Sequence, residues 1–387
     1  DYRVLQPFQL TDPNGNATKV AFDTLGMVAK LAITGKNGEG DTLTNPTEIY
    51  EYDIHCWELL QKPVYAHVRK REIHADPNTR WIESYVYSNG FGEEIMTKTT
   101  AADGLAWTIE NDLPVEVETD HRWRASGKVI VNNKNKPVKQ YEPWYSVTSD
   151  FEDEERLTLY GVTPILHYDP LSRLIQTDFP DNTMTKVLFD GWQQKNYDQN
   201  DCDTQSPHYN TPQVLDLDVL GRPFQTIDDN GTFGFVTTHN QLDISGRILV
   251  VTDALGRTAT QNKFALSEKH QVYVENIDSG KRWMINDTAG NRRYLWDSRS
   301  HRLQTGYDVL LRPVETLLIT GSNPAIATQK ITYGTNAALN NIGQIVEVKA
   351  QDGQASFEYD FKGNVTKQTK QFAQDYQSEL DWNGTVT

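Results

Sequence analysis

The sequence predicts an all-β protein, an antiparallel array of short strands joined by tight turns. Three observations carry that expectation: a turn formula that recurs along the chain, a spacing of about ten residues between copies, and a composition short of core-forming side chains. The formula is an aromatic or apolar residue, Asp, two spacers, then usually Gly followed by Arg or Asn. It reads FDTLGM from Phe22, YDPLSR from Tyr168, LDVLGR from Leu217, LDISGR from Leu242, TDALGR from Thr252, NDTAGN from Asn286, YDVLLR from Tyr307 and YDFKGN from Tyr359. WDSRSH from Trp296 is a degenerate copy. From residue 169 onward the Asp positions are 169, 190, 218, 243, 253, 287, 297, 308 and 360, so gaps of 10 or 11 residues recur and the gap of 21 is about twice that unit. One strand and one tight turn fit that spacing, whereas a helix pair does not.

The wording of each unit follows from turn chemistry. Asp accepts a hydrogen bond from the backbone two residues on, and Gly supplies the positive φ that closes the turn without a Cβ clash. The expected turn residues are Asp23 with Gly26, Asp169 with Arg173, and Asp218 with Gly221 and Arg222. They continue as Asp243 with Gly246 and Arg247, Asp253 with Gly256 and Arg257, Asp287 with Gly290, Asp308 with Arg312, and Asp360 with Gly363. The residue before Asp and the apolar residues after the turn form strand arms, as in RLIQT (173–177) and RPFQTI (222–227). Arg opens the next strand, where it can cover a neighbouring aromatic or pair with the Asp of an adjacent unit. One unit cannot bury its apolar face alone, but a stack of them can.

At 387 residues the chain has room for roughly two to three domains or for one large repeat architecture. No Pro/Gly/Ser linker divides it, so a single array over 1–387 is expected. Non-repeat insertions fall near 100–127, 150–158 and 194–215; the second, DFEDEERLT, has helical potential, and the third is polar and loop-like. Counted with Gly and without Tyr, about 39% of the residues are apolar, against about 45–50% in ordinary domains. Yet there are 9 Trp, 18 Tyr and 13 Phe, which disfavours disorder. A sheet with one wet face reconciles the two.

The formal net charge of −16 argues against nucleic acid or an anionic membrane as partner. No apolar run approaches the roughly 20 residues of a membrane span, and no signal-peptide pattern opens the chain. The sequence starts at Asp1 without Met and stops at DWNGTVT, as an excised or processed piece of something longer would. Cys56 and Cys202 are the two cysteines. Their separation rules out a disulfide framework and a CxxC site, and two buried free thiols are expected.

Candidate chemistry is sparse. DPNGNATKVAFD (12–23) copies the alternating Asp12, Asn14, Asn16 of a calcium loop, but has Ala17 where Gly is required and Asp23 where a bidentate Glu is required. A hairpin turn accounts for it better. DQNDCD (198–203) reads as a solvated acidic loop, and Glu152 to Glu155 as a solvated helix start whose carboxylates repel one another. The nine histidines show no HExxH and no Cys at ligand spacing. His121 with Asp120, and His167 beside Tyr168, are the pairs nearest to acid/base groups. No GxSxG, Walker loop or GxGxxG is present, and GFGEE at 90–94 lacks the third glycine. No catalytic, cofactor-binding or metal-binding residue is assigned, and no cofactor is expected. Facing carboxylates for glycoside hydrolysis remain open among 53 acidic residues.

The tyrosine-aspartate units resemble the YD repeats of the Rhs family. Longer stretches make the chain similar to the Rhs-repeat portion of the B component (SpvB/TcB-like) of bacterial Tc insecticidal toxin complexes. They include LQPFQLTDPNGNATKVAFDTLGMV (5–28), ESYVYSNGFGEEIMTK (83–98), NKPVKQYEPWYS (135–146) and GVTPILHYDPLSRLIQTDFPDNT (161–183). LDVLGRPFQTIDDNG (217–231) and RWMINDTAGNRRYLWDSRSHRLQTGYD (282–308) continue the resemblance. It implies an antiparallel β-sheet strip that curves or spirals as part of a hollow shell, in which B and C components enclose the cytotoxic end of C. It also implies a pore-forming A component as a second partner, a secreted or extracellular location, and no enzymatic activity in this chain. The family's self-cleaving protease belongs to the C component and carries paired DPxGL motifs; DPNGN at Asp12 and DPLSR at Asp169 match neither. Two rivals remain: a YD-repeat surface protein that binds glycans or a partner cell through exposed aromatics such as Trp144 and Trp192, and a polysaccharide-acting enzyme.

Overall fold

The computed structural model describes residues 1–266 and 270–372. About 53% of the chain is strand and 5% helix, so the fold is all-β. Among the described residues the strands form two sheets, one of 11 and one of 20 strands. In the larger sheet, strands add in chain order from Val129–Val131 to Val365–Phe372, skipping only Trp144–Ser146.

The local reasons are those of the sequence. Strands such as Ile248–Thr252 (ILVVT) and Thr258–Phe264 (TATQNKF) are rich in β-branched residues, and a tight turn returns the chain antiparallel to itself. The smaller sheet begins in chain order, Gln9–Thr11 to Glu94–Ala101, and then departs from it. Arg122–Ser126 and Trp144–Ser146 insert next, and the hairpin of Gly104–Glu110 and Leu113–Thr119 is displaced to the far edge. That hairpin is held by a parallel contact, Ser146 opposite Trp107. Stretch 100–127 is therefore strand over most of its length.

The chain divides into two compact units, Asp1–Leu188 with Asn196–Asn210, and Phe189–Lys195 with Thr211 onward. The first has a packed centre: Tyr87, Met96, Ala125, Tyr141, Trp144 and Leu157 are buried together, with Tyr65, Trp107, Phe151 and Tyr160 against them. In the second, Met284 is the one buried hydrophobic residue among the described residues. Its strands hold together instead through partly exposed cross-strand rungs. Tyr273 lies 5.6 Å from Trp283 across one strand pair, while Tyr294 stacks 5.4 Å from Trp296 along the single strand Arg292–Asp297. Arg247 covers Phe264 at 4.7 Å, Arg293 covers Tyr307 at 4.3 Å, and Arg312 covers Tyr333 at 4.0 Å.

Candidate functional site

The recurring Asp sits at the centre of one repeated turn. In LDVLGR, Asp218 N–H donates to the Arg222 carbonyl at 3.0 Å and Gly221 N–H to the Asp218 carbonyl at 2.9 Å. Asp218 Oδ1 accepts from the N–H groups of Leu220 and Arg222 at 2.9 and 3.0 Å. Gly221 is left-handed, φ 74°. The same backbone pair of bonds closes the turns at Asp23, Asp169, Asp243, Asp253, Asp287, Asp308 and Asp360. Strand register slips by one residue just before each of these turns, between Asp216 and Leu217 or Gly306 and Tyr307 for example. A tight turn followed by a left-handed residue forms such a bulge, and Gly takes that position without steric cost.

Arg binds the Asp of its own unit, where pairing across units was one expectation. Arg173, Arg222, Arg247, Arg257 and Arg312 donate through Nε to Asp169, Asp218, Asp243, Asp253 and Asp308 at 2.6 to 2.8 Å. The reason is the bulge, which brings the residue four positions on back over the carboxylate. Side-chain hydrogen bonds from Arg222 and Arg257 come first in holding the Asp218 and Asp253 carboxyls below the ordinary carboxylate value. Contact between units is made by the guanidinium's other nitrogen: Arg222 Nη1 donates to the carbonyls of Asp243 and Ile244 at 3.3 and 3.0 Å. Alternate turns of an antiparallel sheet share an edge, so Arg222 stitches its turn to the next one on its side.

Tyrosine makes a second stitch. Tyr52, Tyr307 and Tyr333 donate their hydroxyls to the carbonyls of Val28, Arg292 and Pro313, each five residues after the Asp of a preceding turn. Other residues build the same turn outside the formula. Asn89 and Asn132 accept through Oδ1 as Asp does, and Asp12 accepts from both amides of Asn16. The calcium-like stretch is thus a turn of this class. The polar-x-x-Gly/Asn spacing at 12, 89 and 132 was the signal that could have revealed them.

Two buried polar clusters were not foreseen, both in the first unit. Glu152, expected to be solvated, is fully buried. It accepts from Lys98 Nζ at 2.8 Å, Trp144 Nε1 at 2.8 Å, Tyr160 hydroxyl at 2.6 Å and Ser146 Oγ at 3.1 Å. Burial pulls the Lys98 ammonium below its ordinary value, and the Glu152 carboxylate works against that pull. Asp153 caps the short helix Glu154–Leu157, so Glu152 lies outside the helix and turns inward. Asp41 is also buried and accepts from Ala75 N–H at 2.9 Å, Thr47 hydroxyl at 2.8 Å and His74 Nδ1. Burial opposes its ionisation, but these bonds keep its carboxyl below the ordinary value.

The remaining candidates are structural in place. Asp198 and Asp201 form a reciprocal cap on the helical turn Gln199–Cys202, with Asp201 buried, so DQNDCD is a capped turn rather than a solvated loop. Cys56 is buried and Cys202 is half-buried, a departure from the two buried thiols expected. Burial pushes both thiols up, away from reactivity. His167 Nε2 meets Asp178 at 2.7 Å across the strand pair, and His121 is exposed. Trp144 is buried, so it is not available as an exposed binding aromatic; Trp192 is 63% exposed. Among the described residues, no three His, Cys, Asp or Glu side chains are placed to share a metal ion.

No protein-family model matches this chain, and no curated protein matches it. Solved structures do. Over 100% of its length the chain is similar to the crystal structure of TcdB2-TccC3, with a TM-score of 0.87 and 21% identity, covering 21% of that chain. It is similar to the TcdB2-TccC3-Cdc42 structure at a TM-score of 0.85 and 18% identity, and to a Photorhabdus luminescens Tc holotoxin pore at 0.85 and 19%. Each is covered to 23%. The chain therefore has the fold of a segment of Tc toxin complexes, the fold that the Rhs/YD resemblance implied, and it spans about a fifth of the length of the chains it matches.

Proposed function

We propose that this chain is a structural, non-enzymatic segment of a Tc-type toxin B component. Together with a C component it encloses the cytotoxic part of that partner for delivery, as a secreted complex that docks on a pore-forming A component. The reading takes 1–387 as one YD-repeat array with insertions near 100–127, 150–158 and 194–215, and takes the turn residues from Asp23 to Gly363 as its structural elements. The observation that carries it is the second unit's sheet, which has 1 buried hydrophobic residue among those described and is held by rungs and turn stitches. Such a sheet is suited to a wall wet on at least one face rather than to one half of a packed core.

The test is co-expression of the full reading frame containing this chain with a C-type partner from the same source. A stable complex in which the partner's toxic end resists protease until the shell is unfolded supports the reading. Free digestion of that end, or glycan binding with no partner protection, overturns it.

A further inference from the structure

Among the described residues the smaller sheet ends on the edge strand Leu113–Thr119. A two-residue turn, Asn111 and Asp112 with φ 51° and 63°, joins it to Gly104–Glu110, with Glu110 opposite Leu113 and Gly104 opposite Thr119. Such a turn makes its flanking residues a hydrogen-bonded pair, and bonded and non-bonded pairs alternate from there. Leu113, Val115, Val117 and Thr119 therefore bond inward, while Glu116 and Glu118 point both N–H and C=O away from the sheet. The neighbouring strand has the matching parity: Trp107 and Leu105, opposite Glu116 and Glu118, turn their carbonyls the other way, to Val147 N–H at 3.3 Å and Arg122 Nη1 at 2.9 Å. Among the described residues no donor or acceptor meets the outward groups of Glu116 and Glu118. Pro114, which has no N–H, limits the open stretch at one end.

The side chains select the occupant of that edge. Carboxylates follow one another at Glu110, Asp112, Glu116, Glu118 and Asp120, with no Lys or Arg between Asp103 and His121. All five are exposed, and among the described residues no ion pair or side-chain hydrogen bond engages them. A second copy of the strand would set Glu against Glu, which opposes pairing. A basic strand sets opposite charges against each other, and the open N–H and C=O groups give it a hydrogen-bond ladder that a loose cation cannot use. The other face of Leu113–Thr119 carries the half-buried Val115 and Val117, so the matching strand alternates basic and apolar residues with a period of two. We propose that Leu113–Thr119 binds, antiparallel, an extended segment of a partner protein in which Lys or Arg alternates with apolar residues, its basic residues opposite Glu116 and Glu118. The proposal goes beyond the shell reading and does not rest on it.

Fluorescence anisotropy on the full 387-residue chain tests it, with a labelled, end-blocked heptapeptide that alternates lysine and valine as the probe. The expected result is saturable binding. It weakens about tenfold or more when the lysine amides of the peptide are N-methylated, when serine replaces lysine in the peptide, and in the protein pair Glu116→Gln with Glu118→Gln. The pair Glu72→Gln with Glu155→Gln removes the same charge at exposed positions elsewhere in the first unit and leaves binding unchanged. The two peptide changes do not touch the protein, so binding lost there is not lost folding. No saturable binding, equal affinity for the N-methylated or the serine peptide, or binding that survives the edge pair or falls as far in the control pair overturns the proposal.

Discussion

Leu311 stands in YDVLLR where most other turns have Gly, and it adopts φ 60°. A left-handed conformation costs a residue with a Cβ roughly 1 kcal/mol, part of which Gly returns through unfolded-state entropy. Leu311→Gly is therefore expected to stabilise by about 0.5–1 kcal/mol, read as a raised midpoint in urea; a lowered midpoint would show that packing by Leu311 outweighs the strain. Gly246→Ala has the opposite sign, because its φ is +84° and the added Cβ would stand 3.2 Å from Arg222 Cδ. The Asp carboxyls give a pH prediction. Those of Asp218 and Asp253 are lowered by their arginines, so the folded chain binds protons less readily than the unfolded one. Their contribution is present above the unfolded carboxylate value and is lost as pH falls through the lower folded value, below roughly pH 4. The melting temperature should drop across that window, and more shallowly when Asp218 and Asp253 are both changed to Asn. An identical acid profile in that double variant would place the acid sensitivity elsewhere. The roles of Asp and Gly were legible in the sequence because they are local to one turn. The tyrosine stitches were not, because their acceptor carbonyls belong to the preceding hairpin.

At the scale of elements, the acidic run at 152–155 shows what adjacency conceals. Four neighbouring carboxylates look alike in sequence, yet Asp153 caps a helix and Glu152 faces the opposite way, toward Lys98 on strand Glu94–Ala101. That strand reads in sequence as an ordinary half-wet strand, and nothing local announces that Lys98 is fully buried. Removing one member of such a pair strands the other charge. Lys98→Met is expected to cost about 3–5 kcal/mol, and Lys98→Met with Glu152→Met much less than Glu152→Met alone. A urea series on the three variants checks this double-mutant relation. Additive costs would mean that the hydroxyl and indole donors, with Arg156 Nε at 3.5 Å, satisfy Glu152 without Lys98. The displaced hairpin 104–119 was equally hidden: its register depends on Ser146 meeting Trp107 across nearly 40 residues of chain, a contact that no period in the sequence encodes.

For the whole molecule, the ten-residue period made an antiparallel array legible, and the low apolar content foretold a sheet with little core. The division into two compact units was not legible, because no linker composition marks it and both units are built from the same kinds of strand. A long sheet in chain order leaves edge strands, and an edge strand is a template for pairing with other chains unless charge or cover prevents it. Among the described residues Val365–Phe372 is the last strand of the larger sheet, and nearly all of its residues are exposed. Lys367 and Lys370 lie on it, held toward Glu358 at 3.0 Å and Asp352 at 3.6 Å. Lysines at an edge place a desolvation cost on any strand that would add there. Replacing both by Thr keeps the β-propensity of VTKQTKQF and removes that cost. The substituted chain is expected to self-associate at lower concentration than the parent, with higher light scattering and no loss of unfolding midpoint. Equal scattering in the two chains would show that something other than these charges protects the edge.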